Sequence, residues 1–359
     1  MACHRPRRSA SGDRAYGAGV TQRASSLLAA ALLLVALLAV AQVLPVPYVA
    51  LLPGPAVDTL GASDGHTGRP LIEVAGRRTY PARGELLLTT VAEQPHLTLM
   101  SAVRRWLSGT AAVVPRELEQ PNGVSEQNLQ ATYDQQMRDS QNAAESAAIG
   151  YLQIPASVII SEASVGAAAG LLRSGVQLVA LNGAAVRNLA GFLRLQEAIH
   201  PGAVVQVGYR RGRAAPSTAV ITANAPTRGA GPLGLSVREK APFTLNFGLS
   251  GVGGPSAGLM FALAIIAKLT PGGINGGRIL AGSGTIDPAG AIGPVGGIQQ
   301  KLLGARHAGA VAFLVPAQNC VEARRAVPPG LQLIKVDSLS DAVDDVRAVG
   351  ARQTNEPRC

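Results

Sequence analysis

The hydrophobic pattern of this chain changes period several times. From Ala24 to Leu44 it has no period at all: no charge occurs, and Gln42 is the only strongly polar residue inside the run SLLAAALLLVALLAVAQVL. At 1.5 Å rise per residue, about 20 such residues cross a ~30 Å hydrocarbon layer. The run therefore predicts a membrane-length helix over 24–44, ended by Pro45 and Pro47. Arg5, Arg7, Arg8, Arg14 and Arg23 precede it against one acid, Asp13, and the first charge after it is Asp58. The excess of positive charge on one side predicts a cytoplasmic tail over 1–23 and an exported remainder. Ala39-Val40-Ala41 also fits the small-residue cleavage site of a signal peptide. A retained anchor and a cleaved leader both export the rest of the chain.

Beyond the run, shorter patterns take over. Gly84 to Val91 reads as a strand opened by glycine, and 97–107 as a helix with Leu99, Val103, Trp106 and Leu107 on one face. Residues 117–153 are polar and helix-prone. Val158-Ile159-Ile160 predicts a strand before a small-residue stretch, Gly166 to Gly170; Asn182-Gly183 signals a tight turn. A helix over Leu189–Ile199 stops at Pro201-Gly202, and a strand, Val204 to Tyr209, runs into a basic turn, Arg210 to Arg213. Phe243, Leu245, Phe247 and Leu249 alternate as in a strand, and the apolar run Leu259 to Ala267 reads as a buried helix.

Composition narrows the function classes. The chain has 359 residues, is 47% hydrophobic and 15% charged, and carries 42 glycines and 24 prolines without a G-X-Y period. This composition excludes a disordered or a collagen-like chain. Net charge is +10, but the tail supplies +4 of it, and the other arginines are scattered rather than set in a stripe with aromatics. A nucleic-acid partner is not expected. Cys3, Cys320 and Cys359 are odd in number and far apart, with no zinc spacing, and read as incidental residues. No metal or other cofactor is expected.

Two segments carry chemistry. In Gly253-Gly254-Pro255-Ser256-Ala257-Gly258 a serine stands where a glycine loop enters an apolar helix. Free backbone N–H groups at such a helix start can hold an oxyanion, with Gly254, Pro255 and Ala257 shaping the loop. A simple helix cap is the plainer reading. The same letters satisfy G-x-S-x-G of the α/β-hydrolases, with Asp287 and His307 following, but only about 100 residues remain after the serine for that fold. No phosphate-binding G-x-x-x-x-G-K-[ST] motif occurs. The second segment runs from Gly282 to Lys301, a hairpin and glycine turn feeding a helix over Ile298–Ala308. No charge lies within four positions of Lys301. An amine in apolar surroundings is easier to deprotonate and can then take a proton from a serine; an ordinary snorkelling surface lysine is the plainer reading. At 100° per residue His307 lies about 240° around the helix from Lys301 and points elsewhere.

Together GPSAG and the lysine after a PVGG-type turn resemble the proteolytic domain of Lon proteases, the Ser-Lys peptidases. Leu314 to Asn319 resembles the strand and turn after the lysine helix in that family. The segment GLLRSGVQLVALNGAAV, the helix after it and PGAVVQVGYRRG resemble a bacterial PDZ domain. The whole order resembles the membrane-anchored, PDZ-containing Lon-like proteins of Gram-positive bacteria. The resemblance implies an α+β fold: a Lon-type proteolytic domain with an inserted PDZ-like domain and one N-terminal transmembrane helix. Its divisions are a tail over 1–23, the span 24–44, an early protease part 45–155, a PDZ-like domain 156–225, the catalytic core 226–348 and a tail 349–359. It implies Ser256 as nucleophile and Lys301 as general base, with Thr285 or Asp287 orienting the lysine. A carboxylate at Asp287 would favour the ammonium form and oppose a base. The implied partners are protein or peptide substrates, the membrane and, as an open question, further copies of the chain. The implied activity is ATP-independent cleavage of exported or membrane-associated proteins. A catalytically silent, peptide-binding adaptor is the alternative.

Overall fold

A computed structural model describes residues 15–61, 70–121, 123–163, 172–225, 231–249, 251–353 and 358–359 of the chain. The small-residue stretch Gly166 to Gly170 and most of the arginine-rich tail lie outside these residues. Two compact units emerge: Met1–Ala50 with Glu93–Glu119, and Leu51–Ala92 with Gln120–Cys359.

In the first unit, the helix Ala15–Val43 covers the expected span 24–44 up to Val43, and Ala24–Val43 is long and apolar enough to cross a membrane, with none of it buried. The chain leaves the helix through Pro45–Val46, which pairs antiparallel with Leu97–Thr98. Thr98 then caps the helix Leu99–Leu107: its hydroxyl accepts from Ser101 N–H, and the Ser101 hydroxyl accepts from Thr98 N–H. Its small core is Ala50, Leu97 and Ala102, with Val46 and Val113 against them.

The second unit is built around strands in the order Gln332–Val336, Ala312–Pro316, Ile279–Gly282, Glu85–Gln94 and Tyr48–Asp58. The first three neighbouring pairs are parallel. Side chains alternate between the two faces of a strand, and the cores follow that alternation. Leu86, Leu88, Leu280, Leu314 and Ile334 join the core formed with the helices Glu126–Tyr151, Gly258–Leu269 and Leu339–Gly350. Leu87, Ala281, Phe313 and Leu333 join the opposite core, with Ile298, Leu302 and Ala305 of the helix Ile298–His307. The architecture is therefore a mixed α/β body covered on both faces. Parallel neighbours need crossover connections, and Ile298–His307 is the crossover between Ile279–Gly282 and Ala312–Pro316.

Between these elements in sequence lies an antiparallel sheet in the order Ser217–Thr222, Val204–Arg210, Gln177–Leu181, Ser157–Ala163, Leu235–Lys240. It has its own core around Val158, Ile160, Leu178, Phe192, Val207 and Ile221. Asn182 and Gly183 make the expected turn, with φ of 49° and 81°.

The cysteines depart from expectation. Cys320 and Cys359 form a disulfide across 39 residues, so they are a staple rather than incidental. Nothing in their spacing announces the pair. It forms because strand pairing brings Arg358 against Ile334, beside the core that holds Cys320.

Candidate active site

The serine segment sits where the expected helix begins. Gly258–Leu269 is a helix whose residues Gly258 to Ala267 are all buried, which fixes the loop before it to the body. A side chain at Gly258 would meet Ile286 Cγ2 at 2.7 Å and Ser140 Oγ at 2.9 Å, so only glycine allows the helix to start here. Loop contacts set the remaining shape. Gly254 N–H donates to Tyr133 C=O (3.2 Å), and Ser140 Oγ donates to Pro255 C=O (3.0 Å). Ala257, the cap residue of the helix, is buried.

Ser256 itself is half-buried, and its carbonyl is tied down twice. It accepts from Gly284 N–H at 3.0 Å and from Ser283 Oγ at 3.1 Å. Leu259 N–H donates to Gly284 C=O at 3.1 Å. The serine loop is thus stitched to the end of the strand Ile279–Gly282.

Lys301 arrives from the other face. Its helix opens on Gly297, whose φ of 63° is a left-handed conformation that glycine adopts without strain. The turn before it is held by Asn319, which is buried and grips both backbone groups of Val295: Asn319 Oδ1 accepts from Val295 N–H (2.9 Å), and Nδ2 donates to Val295 C=O (3.0 Å). Lys301 is only 4% exposed, and its Nζ donates to Ser283 Oγ at 3.0 Å. Burial alone pushes its pKa down from the ordinary lysine value to about 8. One side chain, Ser283, therefore touches both Lys301 and the backbone of Ser256.

Thr285 and Asp287 do not make this contact. Thr285 pairs with Gly293 in a short antiparallel hairpin, and Asp287 Oδ1 accepts from Ala289 N–H (2.9 Å) and Ala291 N–H (2.8 Å), closing its own turn. Ser283 escapes a reading of the sequence because it looks like one more small residue of a glycine-rich run. The signal that could have found it is its place as the first polar residue after an apolar strand. His307 is exposed in the last turn of its helix, as its angular position predicts.

A cleft of about 740 Å³ opens beside the serine loop, walled by Pro255 and Asp287 on one side and by Asp139 and Glu145 of the long helix on another. Arg238 and Glu239 of the outermost strand, Leu235–Lys240, complete it. Glu239 Oε1 accepts from Leu189 N–H at 2.8 Å, at the start of the helix Leu189–Glu197. Burial and the nearby Glu239 charge push the Glu145 carboxyl up to about 7. Glu239 is raised mainly by burial.

The sequence that carries this site is similar to that of known proteins. Residues 248–348 match the Lon protease (S16) C-terminal proteolytic domain. They contain the serine loop, Ser283, Lys301 and Asn319. The Lon protease of Clostridium beijerinckii is 35% identical over 99 residues, which is 27% of this chain and 12% of that protein. The Lon protease of Phenylobacterium zucineum is 34% identical over 108 residues, 28% of this chain and 13% of that protein. The chain thus spans only a small part of the length of these Lon relatives. Among solved structures, the PDZ domain of an SdrC-like protein from Listeria monocytogenes covers 22% of this chain and 85% of its own, at 21% identity and a TM-score of 0.21. The second domain of the listeria protein Lin2157 covers 23% and 83%, at 20% identity and a TM-score of 0.20.

Proposed function

We propose that this chain is a membrane-anchored, ATP-independent serine endopeptidase in which Ser256 is the nucleophile and Lys301 the general base. The observation that carries this reading is the state of Lys301. It is buried, its pKa is lowered to about 8, and it is held by Ser283 beside the Ser256 loop. A neutral amine has N–H bonds and one lone pair. With one N–H given to Ser283, the lone pair is left for the Ser256 hydroxyl.

In the reaction, Ser256 Oγ attacks the peptide carbonyl carbon while Lys301 takes its proton. In this reading, backbone N–H groups of the loop that enters Gly258–Leu269 hold the oxyanion, which is commonly the largest single contribution in acyl transfer. Lys301 then returns the proton to the leaving amine, and the C–N bond breaks to leave an acyl ester on Ser256. Water, deprotonated in turn by Lys301, releases the acid and restores the serine. Ser283 is the residue that orients the lysine, while Asp287 is occupied in closing its own turn.

In this reading residues 45–155 and those after Lys240 form the protease part, and the PDZ-like domain between them takes in the strand Leu235–Lys240, which completes its sheet. Support for substrate presentation comes from the sheet edge. Leu235–Lys240 is an outermost strand, and its residues line the same cleft as Pro255. An extended peptide adding to that edge would hydrogen-bond along its backbone and run toward Ser256. The span Ala24–Val43 is the retained anchor, the arginine tail is cytoplasmic, and the catalytic part is exported. The Cys320–Cys359 disulfide supports an oxidising compartment.

An active-site serine reagent tests this. The wild-type chain should be labelled once, and Ser256→Ala should be unlabelled and inactive on peptides while still folded. Equal labelling or turnover in Ser256→Ala would reject the reading.

A further inference from the structure

The helix Leu99–Leu107 has an apolar face that the described residues do not cover. Leu99, Val103, Trp106 and Leu107 are 40%, 42%, 70% and 71% exposed, and the residue its neighbours bury is Ala102. At 100° per residue the four exposed residues fall within an arc of about 100°, with Arg104 and Arg105 outside it. An apolar stripe this strong in a short helix ordinarily faces a core. Here it faces outward, and the helix is held in place rather than loose, because Thr98 caps it at one end.

Its location says what it meets. Leu99 N–H donates to Leu44 C=O at 2.9 Å, one residue beyond the span Ala24–Val43, and Pro45–Val46 pairs with Leu97–Thr98. The helix therefore begins at the level where the anchor leaves the hydrocarbon. Trp106 is the only tryptophan of the chain, and Tyr48, 41% exposed, follows Pro47 directly. Tryptophan and tyrosine favour that level, because an amphipathic ring gains on both sides of the boundary. We propose that Leu99–Leu107 is an interfacial helix that lies on the outer surface of the bilayer holding the anchor. Leu99, Val103, Trp106 and Leu107 enter the upper acyl region, and Arg104, beside that arc, meets headgroup phosphates while Arg105 faces water. This rests on the reading of Ala24–Val43 as a retained anchor. With two points of attachment, the anchor and this helix, the exported part next to the membrane is restrained in its tilt.

The single tryptophan makes the test direct. The full chain is reconstituted into vesicles of phosphatidylcholine and phosphatidylglycerol and recovered by flotation. Flotation that resists high salt and alkali reads the anchor alone; its failure would remove the anchor and this inference together. In floated protein, the inference predicts blue-shifted Trp106 emission, strong quenching by lipids brominated high on the acyl chain, and weak quenching by aqueous iodide. It also predicts that Val103→Asp with Leu107→Asp floats as before but moves the emission toward that of tryptophan in water. Water-like emission with full iodide quenching in the floated wild type would overturn the proposal while leaving the anchor intact. Blue-shifted emission that brominated lipid does not quench would overturn it too, because protein would then cover the face.

Discussion

Two strongly apolar helices of this chain have opposite surroundings. Gly258–Leu269 is enclosed, with every residue from Gly258 to Ala267 buried among strands and helices of the second unit. Among the described residues, nothing buries any part of Ala24–Val43. Hydrophobicity makes water a poor surrounding for both and says nothing about what replaces it. What replaces it decides the chemistry nearby. The enclosed helix carries the serine loop at its first turn, and burial in the body around it lowers the Lys301 pKa and raises those of Glu145 and Glu239. The bare helix carries no polar site and is suited to anchoring.

The comparison breaks first on packing. Phe261 is fully buried and its ring lies 5.1 Å from that of Phe247, so Phe261→Ala should destabilise the body by about 3–5 kcal/mol in denaturant titrations of detergent-solubilised protein. Leu33→Ala, on the bare helix, should shift the same transition by no more than about 0.5 kcal/mol. Equal effects would mean that the two helices share one kind of surroundings.

A smaller effect sharpens it. Glu145 is raised to about 7 in the folded chain, so between its ordinary value and 7 the folded state binds more protons than the unfolded one. Stability from this group is therefore present at low pH and lost as pH rises through 7. Glu145→Gln should remove that slope and be the more stable protein at pH 8. The gain should be about 1 kcal/mol after allowing for screening by solvent in the cleft. At pH 4 the two proteins should unfold alike. An unchanged pH dependence would show that the cleft is wetter than its burial indicates.

Much of the molecule is legible in the sequence, for identifiable reasons. The span, the serine helix and the lysine helix are readable because each is a long periodic or unbroken pattern flanked by glycine or proline. The Asn182-Gly183 turn is readable because few other residues tolerate that backbone. The parallel sheet is not, because Ile279–Gly282 is four residues long and its partners lie far away in sequence. Ser283 is hidden for the same reason: a side chain's partner depends on which strand ends beside which helix. The Cys320–Cys359 bond depends on the path of the C-terminal residues. The face of Leu99–Leu107 is plain as a pattern, but a pattern does not name the solvent that meets it.

The central claim is that Lys301 is the base for Ser256, and the pH dependence of kcat/KM on a short peptide tests it most directly. The rate should rise with pH and level off above an apparent pKa near 8, as the buried ammonium gives up its proton. Lys301→Arg keeps the charge and cannot deprotonate, so it should lose about 10²–10⁴-fold at the plateau. A Lys301→Arg enzyme with wild-type rates and the same ascending limb would contradict the account.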